Sequence, residues 1–205
     1  YRSDIWRYDG AEEPLRRMAN TNSNLYAYRF DWDEQNNSSF AGNYQLFVGA
    51  AHGLEIPFLT GDFDLGPITF YIKPFMFPDD SDESRLALSD LMMAYWANIA
   101  KYGNPNEFVK GPKWEKFTQE NNQLLILDNP TANLVEMRTI PVSKDDLLSQ
   151  IEADSALEIK ERCLIGWIAA RNFQEDARPQ PPFNFCSNFT EEDLYKLRNL
   201  TEGRD

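Results

Sequence analysis

One histidine, two cysteines and no Gly-x-Ser-x-Gly pentapeptide occur in this 205-residue sequence. Each scarcity excludes a class of chemistry. Zinc usually needs at least two further His or Cys ligands beside a histidine, and none cluster here, so neither metal nor cofactor is expected. Cys163 and Cys186 are too few for a disulfide scaffold and form no CxxC pair. Two readings of them stand equal: one disulfide, or two reduced buried thiols. Without Gly-x-Ser-x-Gly the strained elbow that exposes a nucleophilic serine is absent. Basic residues are also scarce, 20 Lys and Arg against 33 Asp and Glu, for a net charge of −13. Such a surface repels phosphate backbones, which argues against a nucleic-acid partner and for a soluble protein. The acid clusters Asp79–Glu83 and Asp145–Asp146 lack the alternating spacing of a calcium loop and read as solvated turns and helix starts. No apolar run approaches the ~18 residues of a membrane span. Tyr1–Trp6 has none of the marks of a signal peptide. There is no initiator Met, which implies that the natural protein begins upstream, and there is no internal repeat. Four glycosylation triplets begin at Asn36, Asn37, Asn188 and Asn199, and they matter only in a secreted eukaryotic protein.

What is present is enough for a packed core. Apolar residues make up 42% of the chain, with 14 Phe, 9 Tyr and 5 Trp, a composition that excludes wholesale disorder. Glu12–Asn20 reads as a helix, with Pro14 in its first turn. Leu25–Trp32 is aromatic, short and flanked by polar residues, which predicts a strand buried on both faces. Asp33–Asn43 is a polar loop, and a short helix over Leu54–Leu59 ends before Gly61. Asp62–Asp80, with Pro67, Pro74 and Pro78, reads as an irregular packed loop. Ser84–Tyr102 is the clearest helix, with Leu88, Met92, Tyr95, Trp96 and Ile99 at helical spacing. Gly103 and Pro105 end it. Leu124–Leu127 and Leu134–Arg138 are two weaker strands joined at Asn129-Pro130. Asp145–Glu152 and Ala156–Arg171 are helical, and a small helix falls near Glu191–Leu200. Few strands and several amphipathic helices look like one side of a larger α/β domain, whose neighbouring strands would precede Tyr1.

His52 is the residue with chemistry. A lone histidine is usually structural, but this one sits among Gly49, Ala50, Ala51 and Gly53, shortly after a strand. Small residues permit close backbone approach, and loops at strand ends are where functional groups concentrate. A general base needs such an accessible imidazole. It also needs a nucleophile and an orienting acid. Both cysteines lie far from His52, and Asp31 and Asp33 read as solvated acids at a strand end. On its own residues the chain holds at most one-third of a triad.

Gly49-Ala50-Ala51-His52-Gly53-Leu54-Glu55-Ile56-Pro57-Phe58 closely resembles the histidine segment G-x-x-H-G-x-E-[IL]-x-[FY] of type-B carboxylesterases and cholinesterases. Leu88–Asn106 resembles the same family's helix ending in W-x-N-F-A-x-x-G-x-P-N, and Pro112-Lys113-Trp114 with Leu125-Ile126-Leu127-Asp128 its later W…L-x-L-D stretch. Tyr26–Asp31 matches the strand before the histidine. The ordered blocks imply the C-terminal part of an α/β-hydrolase fold over residues 1–171, incomplete without its N-terminal portion, and a tail over 172–205. They imply a serine-type carboxylic ester hydrolase with His52 as general base, Gly53 and Glu55 supporting it, and Phe47 and the aromatics of Thr69–Phe77 as either gorge lining or, the favoured reading, ordinary packing. The expected partners are a small-molecule carboxylic ester and the N-terminal part of the same protein, which would carry the serine and the acid. A second copy could associate through exposed apolar surface. The isolated chain is expected to be inactive. The rival readings are a cholinesterase-like binding module without turnover and an inactive fragment. Because many members of that family are exported, a secreted or periplasmic location is favoured.

Overall fold

A computed structural model describes residues 1–35, 45, 48–64, 66–139, 144–173, 183–190, 192–194 and 196–197. They form two compact units, one of Asn22–Ile140 and one of Tyr1–Thr21 with Pro141–Asp205.

The first unit is built on a three-stranded sheet in the order β1-β2-β3, with β1 Tyr28–Phe30, β2 Gln123–Leu127 and β3 Glu136–Thr139. β1 runs parallel to β2 with Tyr28 beside Leu125 and Phe30 beside Leu127. β3 runs antiparallel, with Met137 beside Leu125. The buried strand is β2, not the aromatic one. Its run Leu124-Leu125-Ile126-Leu127 has no polar residue to turn toward water, so it is covered on both faces. The both-face burial expected of Leu25–Trp32 does not hold throughout: Tyr28 is 37% exposed and Phe30 only half-buried. Among the described residues β1 is an edge, paired on one side, which leaves large rings partly uncovered. Its flanks stay in register, with Leu125 N donating to Ala27 O and Asp31 N to Leu127 O, each at 2.9 Å.

The core gathers Trp32, Phe58, Phe77, Leu88, Met92, Tyr95, Trp114, Leu125 and Leu127. The helix Asp82–Tyr102 supplies Leu88, Met92 and Tyr95 from one face, following the i, i+4, i+7 rule. Asp82 and Glu83 open its first turn, where the helix dipole favours negative charge. Gly103 closes it at φ +67°, with its N–H on Ile99 O at 2.9 Å. Asp62–Asp80 is more regular than its prolines suggested. It contains the helix Thr69–Met76 and two 3₁₀ turns, Gly66–Ile68 and Asp79–Ser81. Pro67 lies in the first turn and Pro78 in extended backbone after the helix, so their missing N–H groups fall at boundaries. Pro74 lies inside the helix, which ends two residues later.

In the second unit the helix expected at Glu12–Asn20 begins earlier. Arg2–Arg7 is helical, Tyr8–Glu12 forms a π-helical turn, and Glu13–Ala19 continues. The wide turn carries Asp9-Gly10 without breaking the helical path. It also buries Glu12, whose carboxylate accepts from Arg7 Nε at 2.8 Å while burial pushes its pKa up. Helices Lys144–Ala153 and Ile159–Phe173 follow. Cys163 and Cys186 form a disulfide, which decides between the two readings of them. Residues 192–194 and 196–197 are helical, while the rest of Glu191–Leu200 and Pro179–Pro182 lie outside the described residues.

Candidate functional site

The route to His52 starts at the end of β1. Trp32 is fully buried there and donates its indole N–H to Ser84 Oγ at 3.2 Å. Three residues on, Gln35 is 4% exposed and donates its Nε2 to the carbonyl of Gly49 at 2.9 Å. Residues 36–44 and 46–47 lie outside the described residues, Phe47 among them. Gly49 has φ +54°, and a Cβ there would stand 3.3 Å from Gln45 O. A turn follows, with Leu54 N donating to Ala51 O at 3.1 Å and Gly53 at φ +89°. His52 is exposed on that turn.

The turn runs directly into the helix Glu55–Thr60. Glu55 opens it, where a carboxylate is favoured by the free N–H groups and the helix dipole. Its charge also reaches the Tyr28 phenol, whose pKa is pushed up first by burial and then by Glu55. Phe58, fully buried, anchors the helix through ring contacts with Phe30 at 5.2 Å, Trp32 at 5.0 Å and Phe63 at 5.1 Å. Ser89 Oγ donates to Phe58 O at 2.8 Å and ties this helix to Asp82–Tyr102. Gly61 ends it at φ +68°, with Met93 Sδ only 3.1 Å from where a Cβ would sit. The histidine turn is therefore held on both sides, by Gln35 before it and by the Phe58 cluster after it.

Carboxylates gather where β1 and β2 end. Asp31 is engaged by the Arg29 guanidinium, with Nε 2.6 Å from Oδ1. Glu34 accepts from Asn129 Nδ2 at 2.8 Å. Burial pushes the Asp128 pKa up, against a backbone hydrogen bond from Asn129, and the charges of Asp33, Asp31 and Glu34 push it further. The aromatics after the turn divide. Phe77 is in the core, but Phe70 and Tyr71 are 84% and 71% exposed and contact each other edge to face. Among the described residues no three His, Cys, Asp or Glu side chains are grouped to hold a metal, and no helix is long and apolar enough to cross a membrane. Sequence reasoning missed Gln35, since within the polar run Asp33–Asn43 nothing marks one amide as buried.

The profile of the Carboxylesterase family matches residues 2–144. The chain belongs to that family. Its mixed helices and small three-stranded sheet are a partial α/β-hydrolase fold. The chain is similar to chicken (Gallus gallus) acetylcholinesterase, 32% identical over 103 residues, which cover 50% of this chain and 11% of the relative. It is 32% identical over 118 residues to human carboxylesterase 3, covering 57% of this chain and 19% of that protein. With human bile salt-activated lipase the figures are 33% over 84 residues, 40% of this chain and 10% of the relative. The matched segments thus span less than a fifth of each of these carboxylesterase-family relatives. At the level of the family, the homology is to ester hydrolases.

Proposed function

We propose that this chain supplies the general base, His52, of a serine-type carboxylic ester hydrolase. The nucleophilic serine and the acid that orients the imidazole would come from the preceding part of the same protein. The observation that carries this reading is the exposed imidazole on a glycine-bounded turn, inside a segment that matches the Carboxylesterase family. Relatives named acetylcholinesterase, carboxylesterase 3 and fatty acyl-CoA hydrolase precursor support a carboxylic ester or thioester as substrate class.

A serine hydroxyl is a weak nucleophile at neutral pH until a base takes its proton. In this mechanism His52 accepts that proton as the serine oxygen attacks the ester carbonyl. It then donates the proton to the departing alkoxide and leaves an acyl-serine. In the second half it deprotonates water, and the acyl group leaves as the free acid. Gly53 gives the backbone the conformation that turns the chain after the histidine, and Glu55 supports the turn from the start of its helix. The 205 residues alone carry no activated nucleophile and would not turn over.

The test uses the full-length protein with a short-chain p-nitrophenyl ester. His52→Ala should lower kcat by about 10⁴-fold or more while the protein stays folded. An unchanged rate removes His52 from the mechanism, and full-length protein without any hydrolysis favours a binding module instead.

A further inference from the structure

We propose that Gln35 is a positioning residue that sets the entry of the histidine turn through its hydrogen bond to Gly49. The inference rests on the reading of His52 as general base. Gln35 comes three residues after the fully buried Trp32, whose indole is fastened to Ser84 Oγ at 3.2 Å. The amide is therefore mounted on the end of β1 and the core. From that mount its Nε2 reaches 14 residues along the chain to the Gly49 carbonyl at 2.9 Å. Gly49 is itself in the left-handed region at φ +54°, three residues before His52. Among the described residues that carbonyl has no strand or helix partner to fix its direction, and the Gln35 amide supplies one.

The other end of the amide separates positioning from stability. Gln35 Oε1 is buried and has no hydrogen-bond partner among the described residues. A buried acceptor left unpaired costs stability; an apolar replacement removes that cost but gives up the bond to the Gly49 carbonyl, which is only partly buried and can turn to water, so the two effects largely offset. A polar side chain 4% exposed that gains little for the fold is best explained by what its one bond holds in place. Methionine matches glutamine in length and volume and has no donor. Gln35→Met therefore keeps the packing and removes the restraint on Gly49.

The experiment measures kcat, KM, active-site titre and Tm on the full-length protein with a p-nitrophenyl ester. For Gln35→Met we expect kcat per titrated site to fall about 10- to 100-fold, the range associated with ~1 Å misplacement of a catalytic group. KM should stay within about twofold, and Tm within a few degrees of wild type. Gln35→Glu has the same length and no donor at neutral pH, and should lose kcat at least as much. Wild-type kcat per site in both variants overturns the proposal, as does a loss that appears only as reduced titre with a lowered Tm. His52→Ala is run in parallel. If it loses turnover while the Gln35 variants keep theirs, the positioning role alone fails; if it retains turnover, the reading of His52 fails and the proposal with it.

Discussion

Replacing Gly53 by alanine isolates backbone strain in the histidine turn. Gly53 adopts φ +89°, and nothing lies within 4 Å of the position a Cβ would take. The added methyl meets open space, so the cost is conformational alone. An L-residue forced into the left-handed region costs roughly 1–2 kcal/mol. The chain can meet that cost in two ways. If the turn keeps its geometry, the full-length protein loses about 1–2 kcal/mol of stability and keeps its kcat/KM. If the turn relaxes to negative φ, stability is retained but His52 moves, and about 1.4 kcal/mol of lost transition-state binding is tenfold in kcat/KM. Gly66 provides the control. It too has a positive φ, +76°, and open space where a methyl would sit, but it follows the helix Glu55–Thr60 in sequence instead of leading into it from His52. Gly66→Ala should cost the same stability and leave kcat/KM alone. Urea unfolding and p-nitrophenyl ester kinetics on both variants read the two quantities. Gly53→Ala with both stability and kcat/KM unchanged would refute the strain argument. Equal kinetic loss in Gly66→Ala would show that the effect is not local to the histidine turn.

Two further outcomes concern the rest of the molecule. Replacing Cys163 and Cys186 by serine opens a loop with a sequence separation of 23 and should cost about 3 kcal/mol, measured by denaturant unfolding under non-reducing conditions; no change would mean that the tail is held by packing alone. Asp128→Asn should raise Tm at neutral pH. The raised folded-state pKa means that ionised Asp128 opposes folding, and the backbone N–H of Asn129 still finds an oxygen in the amide. The folded state binds its proton more tightly than the unfolded one, so the handicap of the wild type is fully present above the raised pKa. It disappears as pH falls through that value toward the ordinary aspartate range. A gain in Tm that is the same at pH 7 and in acid would rule out Asp128 ionisation as its cause.

Local chemistry carried a good deal of this protein. The lone histidine amid glycines and alanines and the helix ended by Gly103 were readable from residue order, because each depends on neighbours within a turn or two, and the blocks shared with carboxylesterases were readable because they follow one another in the family's order. The start of the helix at Asp82 and the stop at Gly61 fall close to where capping and glycine rules put them. What residue order could not rank was burial. The aromatic strand looked stronger than Leu124–Leu127, yet β2 takes the centre because it pairs with the nearby β3 on one side and, with Leu125 beside Tyr28, with the distant β1 on the other. The prolines of Asp62–Asp80 masked a helix, because a proline's cost depends on whether its missing N–H falls inside an element or at its edge. Two cysteines 23 residues apart pair only when the fold brings their Cα atoms to 5.6 Å. Gln35 is the sharpest case. In sequence it is one polar residue in a polar run; in space the anchoring of Trp32 puts its amide on the carbonyl of Gly49. The sequence alone singled out His52 as the candidate base. Only the tertiary structure, through contacts between distant segments, decided what holds that residue's turn in place.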